Sequence, residues 1–109
     1  MTYSEQIGGM RVVLTTARAK RSLSRAPRQV AVAYAVWRAS VNEHGLAMVQ
    51  RIPGYHDEPL RGRLKGLRSF RLNLGYRGYY RVVRGSVEFV SVEEVNKHDY
   101  KKVERIFGY

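Results

Sequence analysis

The hydrophobic period of the chain changes from helical to extended near its middle. Between residues 28 and 44, apolar side chains recur every three or four positions, which predicts an amphipathic helix that ends at Gly45. In "SFRLNLG", residues 69–75, apolar and polar residues alternate instead, which predicts a strand with Phe70, Leu72 and Leu74 on one face. A chain that carries both patterns must pack helices against a sheet.

The other elements follow from the same rules. Residues 10–14 predict a first strand, Thr15 or Thr16 can cap a first helix, and Pro27 separates it from the second helix. Residues 76–83 and 87–95 predict two further strands joined by tight turns. The order β-α-α-β-β-β predicts an α+β fold in which two helices cover one face of a mainly antiparallel four-stranded sheet, with the other face left to solvent or a partner. Residues 98–109 predict a short terminal helix with Val103, Ile106 and Phe107 on its packed side.

Length and composition limit the class of protein. A chain of 109 residues fits one domain, assigned to residues 10–109, with residues 1–9 as a flexible leader and Met10 as an alternative start. The absence of cysteine excludes disulfides, thiolate metal sites and a cysteine nucleophile. We find no apolar run long enough to cross a membrane and no secretory signal. A cytoplasmic protein without a membrane partner is expected.

Charge is unevenly distributed along the chain. Lysine and arginine total 20 against 9 acidic residues, which gives a formal net charge of +11. No acidic residue occurs from Pro59 to Val87, a segment rich in arginine. A polyanionic partner is therefore expected, and nucleic acid is favoured over a membrane surface or a merely solubilising charge.

The strand pattern predicts where part of this charge lies. If Phe70 and Leu72 face the helices, Arg71 faces away from them, and Arg77, Tyr79 and Arg81 share one face of the next strand. Guanidinium groups suit phosphate oxygens, and a tyrosine ring can stack on a base. The alternative is that these arginines only keep an open sheet face solvated, but like charges on neighbouring strands repel, which favours phosphate binding.

Two short segments carry titratable groups. His98 follows the last strand between Lys97 and Asp99, and "GYHDEPL" contains His56, Asp57 and Glu58. A metal site could be assembled from these carboxylates and histidines, but adjacent ligands have no diagnostic spacing. A carboxylate, a histidine and several arginines suit the cleavage of RNA by its own 2′-hydroxyl, which needs neither a metal nor another cofactor.

The phrases "EPLRGRLKGLRSFRL", "YRGYYRV" and "EVNKHDY", in this order, resemble the RelE/ParE superfamily of bacterial toxins, and the RelE and YoeB branches in particular. The resemblance implies that Glu58 is a general base, that Arg71 and Arg77 bind the phosphate, and that His98 is the general acid with Tyr100 beside it. Relatives place the histidine and tyrosine next to each other, whereas Asp99 intervenes here. Lys97 and Tyr100 therefore stay open as alternative acids.

The resemblance also implies an activity and partners. Such toxins cleave messenger RNA on the ribosome and are held by a cognate antitoxin protein. Two alternatives remain open: a ParE-like inhibitor that binds DNA gyrase without hydrolysis, and a plain RNA-binding module. Further RNA contacts are expected from Arg61, Arg63, Lys65, Arg68, Tyr79, Arg81 and Lys97.

Overall fold

The computed structural model describes residues 12–84, 89–97 and 99–108. The expected leader and His98 lie outside these described residues. The strands are β1 (Val12–Thr15), β2 (Glu58–Pro59), β3 (Arg68–Arg71), β4 (Arg77–Val83) and β5 (Phe89–Asn96). The helices are α1 (Ala17–Arg25), α2 (Arg28–His44), α3 (Leu46–Gln50) and α4 (Tyr100–Phe107), with single 3-10 turns at Pro53–Tyr55 and Gly62–Leu64.

One mixed sheet of five strands forms the centre of the molecule, in the order β1-β5-β4-β3-β2. β1 runs parallel to β5, and the other neighbours are antiparallel. The predicted α+β class and the antiparallel meander of the last three strands are confirmed. The strand that the sequence did not predict, β2, has only two residues and lies at an edge of the sheet. Pro59 is tolerated there because an edge position needs no backbone donor.

Helices α1 to α3 cover one face of the sheet. The hydroxyl of Thr16, one of the two predicted cap residues, caps α1 by accepting from the backbone N–H of Ala19 at 3.1 Å. From α2, the fully buried Trp37 stacks on Phe70 of β3 with ring centroids 4.0 Å apart and 12° between the planes. This pair lies at the centre of the main core. None of the helices described in residues 12–84 and 99–108 has the length and apolar character needed to cross a membrane.

The opposite face is partly covered, although it was expected to stay open. Helix α4 packs there and buries Val103 against Leu64, Leu67 and Tyr79. The predicted terminal helix is therefore present, and its apolar side closes a second, smaller core beneath the sheet.

The expectation that Leu74 faces the helices was wrong. β3 ends at Arg71, and the side chain of Leu74 is 92% exposed. The reason is a turn: the side-chain carbonyl of Asn73 accepts from the backbone N–H groups of both Gly75 and Tyr76 at 2.8 Å. An asparagine that bonds to the backbone ahead of it stops the alternation of a strand.

We expect Gly78→Ala to destabilise the protein by about 1–3 kcal/mol, because an added methyl group would overpack the core. A Cβ at Gly78 would lie 2.4 Å from Cζ of Phe70, the ring held under Trp37. The free energy of unfolding in urea measures the effect. Gly54→Ala is the matched control, since a Cβ at Gly54 meets no atom within 4 Å. Equal stability of the two variants would contradict the packing described here.

Candidate active site

Strand pairing brings three of the predicted catalytic side chains, those of Glu58, Arg71 and Arg77, onto the face of the sheet that α4 partly covers. In an antiparallel pair, directly opposed side chains point to the same side. One row across the strands contains Glu58, Ser69, Tyr79 and Glu94, and the neighbouring row contains Arg71, Arg77 and Asn96. Glu58, Arg71 and Arg77, which are far apart in sequence, thus lie on three adjacent strands and on one face.

Arg77 is held in a fixed position by two neutral acceptors. Its guanidinium donates through Nε and Nη2 to the hydroxyl of Ser69, at 3.1 and 2.9 Å, and through Nη2 to the backbone carbonyl of His56 at 2.9 Å. The residue is only 6% exposed. Ser69 itself is fully buried, so its hydroxyl cannot be replaced by water without opening the sheet.

Among the described residues, this arrangement gives the charge of Arg77 no carboxylate partner. Within residues 12–84, 89–97 and 99–108, no carboxylate lies within salt-bridge distance of its guanidinium. Buried charges are normally paired, because removal from water is costly. A guanidinium held by neutral acceptors is therefore suited to bind an anion such as a phosphate.

The loop that precedes Glu58 is held by hydrogen bonds on both faces of the sheet. His56 adopts a left-handed backbone conformation, with φ of 43° and ψ of 47°, which is uncommon for a residue other than glycine. Its carbonyl accepts from Arg77 on the site face. The next residue, Asp57, points to the helical side, where its side chain is 1% exposed. Glu58 is therefore held by anchored neighbours immediately before it.

Asp57 is the centre of a hydrogen-bond network. Its two oxygens accept from Nε of Arg68 and from the hydroxyl of Tyr80, each at 2.7 Å, and the Tyr80 hydroxyl also accepts from Gln50 of α3 at 2.8 Å. Burial disfavours the charge of Arg68, but the hydrogen bond and negative charge of Asp57 outweigh this effect and raise its pKa. Burial, reinforced by the charge of Asp57, raises the pKa of Tyr80, so its hydroxyl keeps its proton and donates.

The turn after β5 lies beside Arg77. Asn96 is the cross-strand partner of Arg77, and its side-chain oxygen accepts from the backbone N–H of Asp99 at 3.0 Å. Asp99 in turn caps α4 by accepting from the N–H of Lys102 at 2.9 Å. Tyr100 follows, and its ring meets that of Tyr79 edge-on with centroids 6.0 Å apart. The structure therefore brings Tyr100 to the same end of the face as Arg77.

Helix α4 is fixed to the sheet through the buried carboxylate of Glu94. The hydroxyl of Ser22 donates to Oε1 at 2.7 Å, and the ammonium group of Lys102 lies 3.3 Å from Oε2. Glu94 thus links α1, β5 and α4, and it is fully buried. Because α4 begins at Tyr100, this link also fixes the position of the turn that precedes the helix.

Three of the predicted RNA-binding residues already have partners within the fold. Tyr79 is fully buried beneath α4, so its ring is not available to stack on a base. Arg68 pairs with Asp57 on the helical face, away from Arg71 and Arg77. Arg81 lies on the expected face, but it is 3.4 Å from Glu93. Asp57 and Glu93 therefore neutralise Arg68 and Arg81, although β3 and β4 themselves contain no acidic residue.

The remaining predicted RNA-binding residues are exposed. Arg61, Arg63 and Lys65 lie in and around the 3-10 turn before β3, and Lys97 lies in the turn after β5. Their positions are compatible with contacts to a polyanion, and these contacts stay a prediction. The described residues contain no group of three His, Asp or Glu side chains that could hold a metal ion.

Sequence reasoning assigned no role in the site to Ser69 or Asn96, and it named Asp57 only as a possible metal ligand. Ser69 and Asp57 bond to Arg77 and Tyr80, which lie 8 and 23 residues away, and Asn96 accepts from the N–H of Asp99 just before α4. A signal was present for one of them, since Ser69 has the parity of Arg71 and is opposite in parity to the apolar Phe70. Polar residues at such positions usually serve a hydrogen bond when they are buried.

Known structures share this architecture. A YoeB/ParE toxin from Agrobacterium tumefaciens is 21% identical, with a TM-score of 0.60 over 83% of this chain and 100% of that chain. The toxin–antitoxin complex RelBE2 from Mycobacterium tuberculosis contains a chain that is 24% identical, with a TM-score of 0.57 over 82% of this chain and 99% of that chain. YafQ from E. coli is 14% identical, with a TM-score of 0.65 over 91% and 100%.

No protein-family model matches the sequence, and no curated protein sequence matches it significantly. At these identities the structural matches establish the fold. The RelE-like fold that the sequence predicts is therefore confirmed, at TM-scores of 0.57 to 0.65.

The adjacent tyrosines of β4 should respond oppositely to loss of their hydroxyl groups. The Tyr79 hydroxyl has no hydrogen-bond partner among the described residues, so Tyr79→Phe should leave stability unchanged or raise it by about 1 kcal/mol. Tyr80→Phe removes a donor from the buried carboxylate of Asp57 and should cost about 1–3 kcal/mol. Urea unfolding at pH 7 measures both values.

Tyr79→Phe also provides a pH-dependent test of whether Tyr79 is buried. Burial raises the pKa of Tyr79 above its ordinary value, so its contribution to stability is present below pH 10 and is lost as the pH rises, because only the unfolded state ionises readily. Between pH 7 and pH 11, the wild-type protein should lose more stability than Tyr79→Phe. Identical losses in the two proteins would show that Tyr79 is not buried as described.

Proposed function

We propose that this chain is the toxin of a type II toxin–antitoxin pair and that it cleaves messenger RNA in the ribosomal A site. The observation that carries the proposal is Arg77, a nearly buried guanidinium held by a serine hydroxyl and a backbone carbonyl rather than by a carboxylate. It shares one face with Arg71 and Glu58. Two cations beside a carboxylate form a site for a phosphate and for a proton transfer next to it.

The proposed reaction uses the RNA's own hydroxyl as nucleophile. Glu58 takes the proton of the 2′-hydroxyl, whose oxygen attacks the neighbouring phosphorus. The bond from phosphorus to the 5′-oxygen breaks, and that oxygen receives a proton from the general acid. The products are a 2′,3′-cyclic phosphate and a free 5′-hydroxyl, so no oxidant, metal or other cofactor takes part in the balance.

Arg71 and Arg77 would stabilise the negative charge that develops on the phosphate oxygens. A guanidinium already fixed by Ser69 and His56 needs little reorganisation as this charge appears, which makes it effective in the transition state. The general acid would come from the turn after β5, where His98, Lys97 and Tyr100 remain the three candidates. Tyr100 packs edge-on against Tyr79, which is two residues from Arg77 along β4.

The fold supports the proposed partners. The similar structures include two toxin–antitoxin complexes, RelBE2 and the E. coli DinJ–YafQ complex. A cognate antitoxin is therefore proposed for this chain, and the net charge of +11 suits both ribosomal RNA and an acidic segment of such a protein. Action on the ribosome implies that the protein works in the cytoplasm.

A matched pair of arginine substitutions tests the function. Purified protein is incubated with programmed ribosomes, and the 5′ ends of the mRNA are mapped by primer extension. Arg77→Lys keeps the charge but loses the paired donors to Ser69, and we expect cleavage to fall by about 10²-fold or more. Arg38→Lys, on the exposed side of α2, should cleave like the wild type.

Glu58→Gln and His98→Ala extend the same experiment. Loss of a general base or acid should lower cleavage by about 10²–10⁴-fold while the protein stays folded. Full activity of His98→Ala would move the acid role to Lys97 or Tyr100. The absence of cuts from a folded, toxic wild-type protein would contradict the nuclease, and inhibition of gyrase supercoiling by that protein would establish the alternative.

A further inference from the structure

Beside the proposed catalytic face lies a cleft of about 320 Å³, lined by Ile52, Gly54, Tyr55, Arg71 and Leu72. We propose that this cleft binds one nucleobase of the RNA, adjacent to the phosphate that is cut. The inference rests on the proposed function and adds a site for base recognition to it. It assigns a role to Tyr55 and Gly54, which the catalytic mechanism does not use.

The chemistry of the lining suits a flat, partly apolar ligand. Ile52 is 42% exposed although it is apolar, and Leu72 closes the cleft from the edge of the main core. Tyr55 is half-buried and supplies an aromatic surface on which a base can stack. Arg71 is the single charged group. One aromatic side chain, two aliphatic ones and one guanidinium match the two surfaces of a nucleotide, an apolar base and an anionic phosphate.

Arg71 connects the cleft to the catalytic face. It lines the cleft and is also the cross-strand partner of Arg77. A phosphate bound between these two guanidinium groups would place a neighbouring nucleotide at the mouth of the cleft. Glu58 is three residues beyond Tyr55, so the two residues are within about 11 Å of each other along the chain.

The cleft is preformed. Its floor segment is the 3-10 turn Pro53–Tyr55, in which the backbone N–H groups of Tyr55 and His56 donate to the carbonyls of Ile52 and Pro53 at 3.1 and 3.0 Å. The carbonyl of His56, which follows the turn, accepts from the guanidinium of Arg77. A turn fixed at both ends presents Tyr55 in one position before RNA arrives, which lowers the entropic cost of binding.

Its size limits the ligand. Pockets for small molecules begin at about 300 Å³, so this cleft is at the lower end of the range. One base fits such a volume, and the lining offers a single aromatic ring, that of Tyr55, on which to stack it. Recognition at this site would therefore concern a single position of the codon.

Gly54 allows the cleft to be filled without disturbing the fold. A Cβ at this residue meets no atom within 4 Å, and its backbone does not need the left-handed region. Gly54→Leu should therefore fold normally and occupy the cleft. Ala39→Leu adds the same side chain on the exposed surface of α2 and is the matched control. Tyr55→Leu, which removes the ring, is a second variant, and thermal melting verifies that all three proteins fold.

The experiment measures binding and cleavage with matched RNAs. Binding uses a short labelled RNA with a 2′-deoxy sugar at the cut, which cannot react, and versions in which one base on either side of that phosphate is removed. For the wild type, loss of the recognised base should weaken binding about tenfold. Gly54→Leu should bind the intact RNA about as weakly as the wild type binds the abasic one, with no further loss on the abasic RNA. Ala39→Leu should behave like the wild type.

The outcomes separate the two proposals. If removal of either base leaves wild-type binding unchanged, or if Gly54→Leu and Tyr55→Leu bind every RNA like the wild type, the cleft is not a base site. If base-dependent binding is present and lost in Gly54→Leu but programmed ribosomes are not cut, the base site stands and the nuclease function fails. If base removal and Gly54→Leu weaken binding additively, the two changes act at separate places, and the cleft is not the base site.

Discussion

The guanidinium of Arg77 is the interaction on which the rest of the site depends. It joins β4 to β3 through Ser69 and to the loop before β2 through the carbonyl of His56. The left-handed conformation of His56 directs that carbonyl towards the site, while the next residue points to the other side of the sheet. One cation therefore organises both the proposed phosphate-binding face and the segment that carries Glu58.

The two faces of the sheet are specialised because β4 alternates between them. Arg77 and Tyr79 lie on the site face, and Tyr80 lies in the main core with its hydroxyl bonded to Asp57. Gly78 separates them and has no side chain because the ring of Phe70 occupies that space. Core packing and site geometry are therefore linked through four consecutive residues. A change that shifted this strand would affect both.

The arginines of β3 and β4 differ in whether a carboxylate pairs with them. Arg68 and Arg81 are neutralised by Asp57 and Glu93, so they contribute to the fold as much as to any ligand. Arg77 has no such carboxylate among the described residues, which is the difference that supports its proposed role with phosphate. The net charge of the chain alone does not distinguish these cases, because it counts every arginine equally.

The sequence by itself determined the α+β class, the first two helices, the antiparallel meander and the common face of Arg71 and Arg77, because these depend on local spacing and on the period of two in a strand. Only the tertiary structure decided that α4 buries Tyr79, that Arg68 turns to Asp57, and that Ser69 and His56 hold Arg77. Each of these contacts joins segments at least eight residues apart. Their formation depends on how the helices and strands pack, and no local pattern in the chain encodes that choice.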